Sequence, residues 1–358
     1  MDVDADSEVG RHRSVVDTAW HAYGDPRRLV RVAELSAMVS TNRVYQLTLD
    51  DGSTAIAKVS NYGSFFLFAE DHDRIHRCHA LLQGGRFEHF LADSLTTPAG
   101  RPYIWYDGAM WAVMYNEVLV RDRLPRVLTT DQIDNLAEEV AAFHLTCAEI
   151  APMVPPTSKT IKSDAIHLLD LVSERHASAR FGLDQSRLDV VRRHTHRFLV
   201  AVLESGYDYW QRIPVLIDWN LGNFSVEFDA RGRFSLFSRW DYDWFRIESR
   251  LLDFYFLSRV SSRTGDKTRF TYGAHTLLEP RFRRFLRTYH RSFPLSDDEV
   301  LFLKETYRFF LLNYVVREGE HFFRYDIWQH LLHDVVDVHL PALDAIDLTP
   351  LLAELTPT

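Results

Sequence analysis

The first regular signal along the chain is an alternation of apolar and polar positions. Val44–Leu49 (VYQLTL) and Thr54–Val59 (TAIAKV) both alternate, and Asp51-Gly52 lies between them, which predicts a β-hairpin. The period then lengthens, and FFLFAEDHDRIHRCHALL predicts a helix from about Phe65 to Leu82, with Phe68, Ile75, Cys78 and Leu82 near one face. Ser14–Tyr23 reads as a short leading helix, and strand character begins at Leu29. Two further strand-like runs, RPYIWYD and MWAVMYNEV, end near Glu117. Beyond Leu124 the pattern is mostly helical. TDQIDNLAEEVAAFHLTC is amphipathic, with Thr130 or Asp131 expected to cap its start. A proline-containing stretch, Pro152–Thr160, interrupts, and helical pattern resumes from Ala165 to Ser205. A compact strand-like interval follows, PVLIDWNLGNFSV and then RFSLFSRWDYDW, before a long helical remainder from about Leu251. No repeat or low-complexity segment is visible. The pattern predicts an α+β protein with a β-rich N-terminal part and a larger α-rich C-terminal part, dividing near residues 117–124.

Composition narrows the class. A chain of 358 residues suits one large domain or two lobes. Its 24 Phe, 15 Tyr and 8 Trp predict a ring-rich interior and allow an aromatic-lined pocket for an organic ligand. The net charge of -9 offers no long-range attraction to nucleic acid or anionic lipid. Two cysteines without a CxxC pair argue against a disulfide framework or a cysteine-built zinc site, and fit a reducing cytoplasm. The acidic, polar start (MDVDADSEVG) is unlike a signal peptide, and no apolar run is long enough to span a bilayer. We expect a soluble cytoplasmic protein, monomeric or homodimeric, with neither nucleic acid nor membrane as a partner.

The chemistry concentrates in PVLIDWNLGNFSV. An apolar run delivers Asp218 into a short loop, Gly222 is expected to permit a tight backbone, and Asn223 follows Asp218 by five positions. Phosphoryl transfer needs a carboxylate to orient and deprotonate the attacking hydroxyl, and oxygen ligands to hold Mg²⁺ against the nucleotide phosphates. An Asp followed five residues later by an Asn is the spacing that kinase catalytic loops use for these tasks. Taken alone it arises by chance, as a turn-capping Asp and a left-handed Asn. Eighteen residues after Asn223, however, a strand-like run ends at Asp241 in the cluster WDYDW. That is a hairpin's length further on, where a kinase places its second metal-binding Asp.

LIDWNLGN, then WDYD, then LLDFYFL together resemble the HGDxxxxN loop, β-hairpin, IDWE-like segment and following Asp of the aminoglycoside phosphotransferase and choline kinase-like superfamily. The resemblance covers roughly residues 35–320 and is clearest between 213 and 257. It implies a bilobal protein kinase-like fold. Residues 1–120 would form a small antiparallel β-rich nucleotide-binding lobe, and residues 121–358 a large α-helical lobe with the catalytic loop and acceptor pocket. It implies ATP and Mg²⁺ as cofactors, Asp218 as catalytic base, Asn223 and Asp241 as metal ligands, Asp243 as a weaker ligand candidate and Asp253 as a structural Asp. Ser40–Ser60 resembles the nucleotide-covering hairpin, without the glycines of protein kinases, and Lys58 stands where a lysine would contact the α- and β-phosphates. Its partner on the next helix is Glu70, Asp71 or Asp73. Periodicity puts Asp71 nearest the apolar face, whereas Glu70 has the expected side chain and is favoured. Tyr115, Asn116 and Glu117 match the segment whose backbone would meet adenine. LAEEVAAFHLTC resembles the first large-lobe helix, with His144 read as a core histidine.

One departure stands out. The family's HGD histidine and glycine are Leu216 and Ile217 here, so the histidine that usually braces the loop is missing. The expected activity is transfer of the ATP γ-phosphate to a hydroxyl of a small molecule: an aminoglycoside, a choline-like amine, an amino alcohol or a sugar. The alternative is a nucleotide-binding pseudokinase acting as a regulatory or interaction module. A metal-dependent hydrolase is a third reading, with His72, His76 and His79 at helical spacing as its nearest histidine cluster. For the acceptor, Glu318, Glu320 and Asp326 are candidate partners of an amine, and Trp244 and Trp328 candidate stacking surfaces. Each is more readily a surface charge or a core aromatic.

Overall fold

An amphipathic stripe on the leading helix organises the N-terminal sheet. Val15, Val16, Ala19 and Trp20 of α1 (Glu8–Tyr23) are buried against Tyr45, Leu47, Leu49, Ala55, Ala57, Val59, Ala112 and Met114. The computed structural model describes residues 8–36, 42–266 and 273–355, with backbone alone for residues 8–11. α1 begins several residues ahead of the expected Ser14. The strands are β1 (Leu29–Glu34), β2 (Arg43–Leu49), β3 (Thr54–Ser60), β4 (Ile104–Tyr106) and β5 (Trp111–Asn116). They form one antiparallel sheet in the order β1-β2-β3-β5-β4.

Alternation decides which side chains α1 covers. Lys58 lies opposite Val44 and Val113 in the ladder, so it shares their face, the one that α1 does not cover. On that face the rings of Phe65, Phe68 and His72 from α2 (Phe65–Leu82) meet Trp111 and Tyr115. Ser40 and Thr41, at the head of the expected nucleotide-covering hairpin, lie outside the described residues.

Two compact units make up the chain. The first runs to Val120 and takes in Ser238–Trp240 and His321–Phe323; the second holds the rest. In the second, α3 (Thr130–Ile150) packs along α8 (Pro280–Ser292), and α4 (Ile161–Ser173) along α6 (Gln185–Glu204). The helical stretch expected from Ala165 to Ser205 is divided among three helices, α4, α5 (Ala177–Phe181) and α6, and Gly182, with a left-handed φ of 65°, ends the second. The cap of α3 is Thr129, one residue earlier than expected. Its side chain accepts from the Gln132 N–H and the Gln132 side chain accepts from its own, a closed capping box.

Short strands β6 (Ile213–Val215), β7 (Phe224–Phe228), β8 (Phe234–Arg239) and β9 (Arg246–Glu248) form two pairs, β6 with β9 and β7 with β8. Helices α7 (Phe254–Val260) and α9 (Asp297–Phe310) follow, and a π-helical segment, Leu311–Arg317, extends α9. The interior is ring-rich, as composition predicts: Tyr255 and Phe310 stack at 3.6 Å, and Phe254 sits edge-on to Tyr289 at 4.9 Å. Helices α10 (Gly319–Phe322), α11 (Tyr325–Asp334), α12 (Leu340–Asp344) and α13 (Thr349–Leu355) complete the chain. Among the described residues no helix is long and apolar enough to cross a membrane.

A buried charged cluster ties α6, α9 and α12 together. Arg308 donates to Glu305 at 2.7 Å, to Asp344 at 3.3 Å and to Nδ1 of His194, which leaves that imidazole neutral. Burial, and then the Arg308 charge, hold His194 down at about 4. An unfolded histidine titrates near ~6.5. Stability from this depressed pKa is therefore full above that value and is lost as pH falls from there through about 4. His194→Gln keeps an acceptor for Arg308 but cannot take up the proton. It is expected to flatten the acid limb of stability measured by urea unfolding across that window; an unaltered slope would assign the acid sensitivity elsewhere.

Candidate active site

The segment from Leu216 to Phe224 alternates anchors with presented groups. Leu216, Ile217, Trp219, Leu221 and Phe224 are buried, whereas Asp218, Asn220 and Asn223 are half-exposed. Trp219 is the largest anchor, with its ring edge-on to Phe143, His144 and Phe224 at 5.8–6.5 Å. Burying these apolar side chains on one side of the loop points the polar ones the other way. The turn closes through Asn220 N–H to Asp218 Oδ1 at 3.1 Å and Asn223 N–H to Asn220 O at 2.9 Å.

The loop's backbone is strained at an unexpected position. Gly222 needs no glycine: its φ is not left-handed, and a Cβ there would meet nothing within 4 Å. Ile217 instead carries a φ of 60°, a conformation that costs a β-branched residue on the order of 1–3 kcal/mol. What holds it is Asp253. The Ile217 N–H donates to Asp253 Oδ1 at 2.6 Å, a short charge-assisted bond inside the protein. The other carboxylate oxygen, Oδ2, accepts from His144 Nε2 at 2.8 Å, and Tyr289 OH lies 2.8 Å from His144 Nδ1. All three side chains are 0% exposed. Burial pushes the Tyr289 phenol well above its ordinary range, so it donates to Nδ1 and leaves Nε2 to donate to the carboxylate. His144 is thus a core histidine with a defined task, two bonds away from the loop.

The same helix fixes the hairpin that leads to Asp241. Asn135 on α3 takes both backbone groups of Phe234, accepting from its N–H at 2.7 Å and donating to its carbonyl at 2.9 Å. Glu139, one turn on, accepts from the Leu236 N–H at 3.1 Å. Asn135 and Glu139 were not singled out from the sequence; the signal available was a polar pair at i, i+4 on an otherwise apolar helix face. Past the hairpin, Asp241 is exposed and left-handed, with a φ of 68°, and its Oδ1 accepts from the Asp243 N–H at 3.4 Å. Ile217 and Asp241 are the two non-glycine residues with positive φ among the described residues. Such strain collects where function requires it.

Asn223 and Asp241 offer oxygen donors, the chemistry Mg²⁺ prefers. An ion held by these two residues would complete its shell with water and phosphate rather than in an all-protein cage. Among the described residues no group of three or more His, Cys, Asp or Glu could hold a metal. Two of the three α2 histidines bond to backbone carbonyls: His72 Nδ1 to Phe68 O at 2.7 Å and His79 Nδ1 to Leu91 O at 2.9 Å.

In the N-terminal unit, Lys58 is buried on β3. Glu70 accepts from Arg74 at 3.1 Å, while Asp71 is the acidic residue of α2 that is buried alongside Ile75 and Cys78. Tyr115 is buried in β5, and the Asn116 N–H donates to Asp93 O at 2.9 Å, so that donor is already engaged. The Asn116 amide reaches Asp93 Oδ2 at 2.6 Å, and the Glu117 carboxylate takes hydrogen bonds from Gln46 (2.7 Å) and Thr54.

The acceptor candidates divide. Trp328 is 1% exposed and donates to Val315 O at 2.9 Å, so it belongs to the core. Trp244 is half-buried among Phe256, Phe310 and Tyr314. Glu318, Glu320 and Asp326 form ion pairs with Arg317, Arg180 and Arg324 at 2.7, 2.7 and 3.1 Å.

This architecture is the protein kinase-like α+β fold in the form taken by small-molecule phosphotransferases. No family model matches the sequence, and no curated protein matches it. Among solved structures, a microcompartment-associated aminopropanol kinase is similar at a TM-score of 0.59 and 15% identity, over 94% of this chain and 100% of that one. The GDP complex of a point mutant of aminoglycoside 2'-phosphotransferase IIIa is similar at 0.56 and 16%, over 94% and 97%. An amicoumacin kinase in complex with AMP-PNP, Ca²⁺ and its ligand is similar at 0.56 and 14%, over 90% and 97%. At these identities the likeness establishes the fold.

Asp253→Ala would orphan the buried Ile217 N–H and His144 Nε2–H together. At about 1–3 kcal/mol for each unpaired buried donor, a loss of roughly 2–6 kcal/mol is expected in chemical denaturation. A loss below ~1 kcal/mol would mean that the loop holds its strained form without the carboxylate.

Proposed function

We propose that the protein is an ATP- and Mg²⁺-dependent phosphotransferase that phosphorylates a hydroxyl group of a small molecule. The observation that carries this reading is the loop from Leu216 to Phe224. Its buried anchors, and a backbone held by Asp253, present Asp218 and Asn223 together within a kinase-like fold.

In the reaction Asp218 orients the acceptor hydroxyl and takes its proton. The hydroxyl oxygen attacks the γ-phosphorus, and the bond from that phosphorus to the bridging oxygen of ADP breaks. Asn223 and Asp241 hold Mg²⁺, which when bound neutralises charge on the phosphate oxygens. Lys58 positions the α- and β-phosphates. Its carboxylate partner on α2 is Glu70, whose side chain is largely buried and also accepts from Arg74, or the buried Asp71. Adenine is read by backbone groups of the Tyr115–Glu117 segment other than the Asn116 N–H, which the Asp93 carbonyl already takes. Most of the acceleration asked of these residues is positioning and electrostatic stabilisation, which is why fixed backbone geometry matters more than reactive side chains.

For the acceptor, the arginine partners of Glu318, Glu320 and Asp326 weigh against a polycationic amine at those positions. That leaves an amino alcohol or a sugar-like alcohol, with Trp244 a candidate stacking surface for its carbon skeleton.

The test is Mg²⁺-dependent phosphoryl transfer from ATP to a panel of amino alcohols, sugars and aminoglycosides, with Asp218→Ala alongside. Transfer to one acceptor class, reduced roughly 10²–10⁴-fold by the substitution, is expected. ATP binding with no transfer to any acceptor, identical in the two proteins, would favour a nucleotide-binding module that the missing loop histidine has left inactive.

A further inference from the structure

Asp266 lies well outside the Asp218–Asn223 segment in sequence, yet its Oδ2 accepts the Leu221 N–H at 2.7 Å. Leu221 stands three residues after Asp218 and two before Asn223, at the start of a 3-10 turn, Leu221–Asn223, that Asn220 does not cap with its side chain. Asp266 therefore supplies from a distance the acceptor that the turn lacks locally. We propose that Asp266 is a positioning residue for this loop, setting Asn223 relative to Asp218; the catalytic part of this proposal rests on the phosphotransferase reading above.

The segment carrying Asp266 is itself fastened. The Asp266 N–H donates to Arg126 O at 2.8 Å, and Gly265 N–H reaches Ser262 O and Oγ at 3.2 Å. Arg281 grips both sides, donating to Ser261 O at 3.0 Å and to Leu128 O. Gly265 has a φ of +63°, and a Cβ there would fall 2.1 Å from Arg126 O. Only glycine lets the chain pass this close, and the close passage is what delivers the Asp266 carboxylate to Leu221.

The loop is thus held at two backbone donors by two remote carboxylates: Asp253 at Ile217, one residue before Asp218, and Asp266 at Leu221. The histidine-bearing loops this one resembles have a brace at the position where Leu216 stands. Here the second carboxylate takes over the half of the loop that contains Asn223. Once Leu221 is fixed, the bond from the Asn223 N–H to Asn220 O fixes the side chain that follows.

Asp266→Ala, Asp266→Asn and Gly265→Ala would be compared with wild type by two independent readouts. The first is amide hydrogen exchange at Leu221–Asn223 with neither nucleotide nor metal present. Exchange is expected to quicken about tenfold or more in Asp266→Ala and Gly265→Ala, the equivalent of one lost hydrogen bond, and less in Asp266→Asn, whose amide oxygen can still accept. The second is the Mg²⁺ dependence of phosphoryl transfer. Here kcat is expected to fall roughly 10–100-fold and half-saturating Mg²⁺ to rise several-fold in the alanine variant, with Asp266→Asn recovering most of both. If Leu221 exchange is unchanged in Asp266→Ala, the brace does not exist. A variant that only melts earlier, with wild-type kcat and Mg²⁺ dependence, would reduce Asp266 to a structural residue and overturn the proposal. Should Asp266→Ala fail to fold, the same comparisons on Asp266→Asn decide, and wild-type values in both readouts would overturn it. Absence of phosphoryl transfer in wild type would sink the phosphotransferase reading and with it the catalytic part of this one, and the exchange data would still judge the bond.

Discussion

The structure of the candidate site depends on one hydrogen bond, from the backbone of Ile217 to the buried carboxylate of Asp253. Ile217 is held left-handed, which a β-branched residue adopts only under constraint. A neutral acceptor would give a bond worth about 1 kcal/mol, too little to offset the strain; a buried carboxylate gives roughly twice that. The carboxylate in turn is tolerable inside the protein because its second oxygen is met by His144, which Tyr289 completes. Strain at the loop and a buried polar network beneath it are two sides of one arrangement.

α3 joins this network to the rest of the site. Its buried polar residues, Asn135, Glu139 and His144, face different tasks: the first two fix the register of β8 and the third supports Asp253. A helix is a suitable carrier because its side chains are set by a rigid rise of about 1.5 Å per residue, so the hairpin ending near Asp241 and the loop containing Asp218 share one ruler. None of these polar groups is surplus, since each answers a backbone or side-chain donor that would otherwise be buried without a partner.

Much of the architecture was legible in the sequence. The hairpin around Asp51-Gly52 and the helix from Phe65 to Leu82 stand where alternation and periodicity put them, because both patterns are local consequences of backbone geometry. The helix cap was misplaced by a residue because Thr129, Thr130 and Asp131 are all competent caps, and only the chain's direction of entry selects among them. Gly222 was read as the tight point of the loop, since glycine is the usual mark of unusual φ. The strain sits instead at Ile217, which no local rule would nominate. Trp328 was a candidate stacking surface more readily read as a core aromatic, and the packing around Val315 puts it in the core.

For the proposed site, the sequence by itself supplied the ordered series Asp218, Asn223 and Asp241, whose residue types and spacing are those that phosphoryl transfer would require, and the family resemblance added Asp253. It could not determine which side chains hold those residues in place. Asp266, Asn135, Glu139 and Tyr289 are remote from the loop in sequence, and carboxylates, amides and phenols occur throughout the chain without such a role. Their significance arises only when folding brings a donor or acceptor to a backbone group that has no other partner. That pairing is a property of three-dimensional proximity and burial, and tertiary structure alone supplies it.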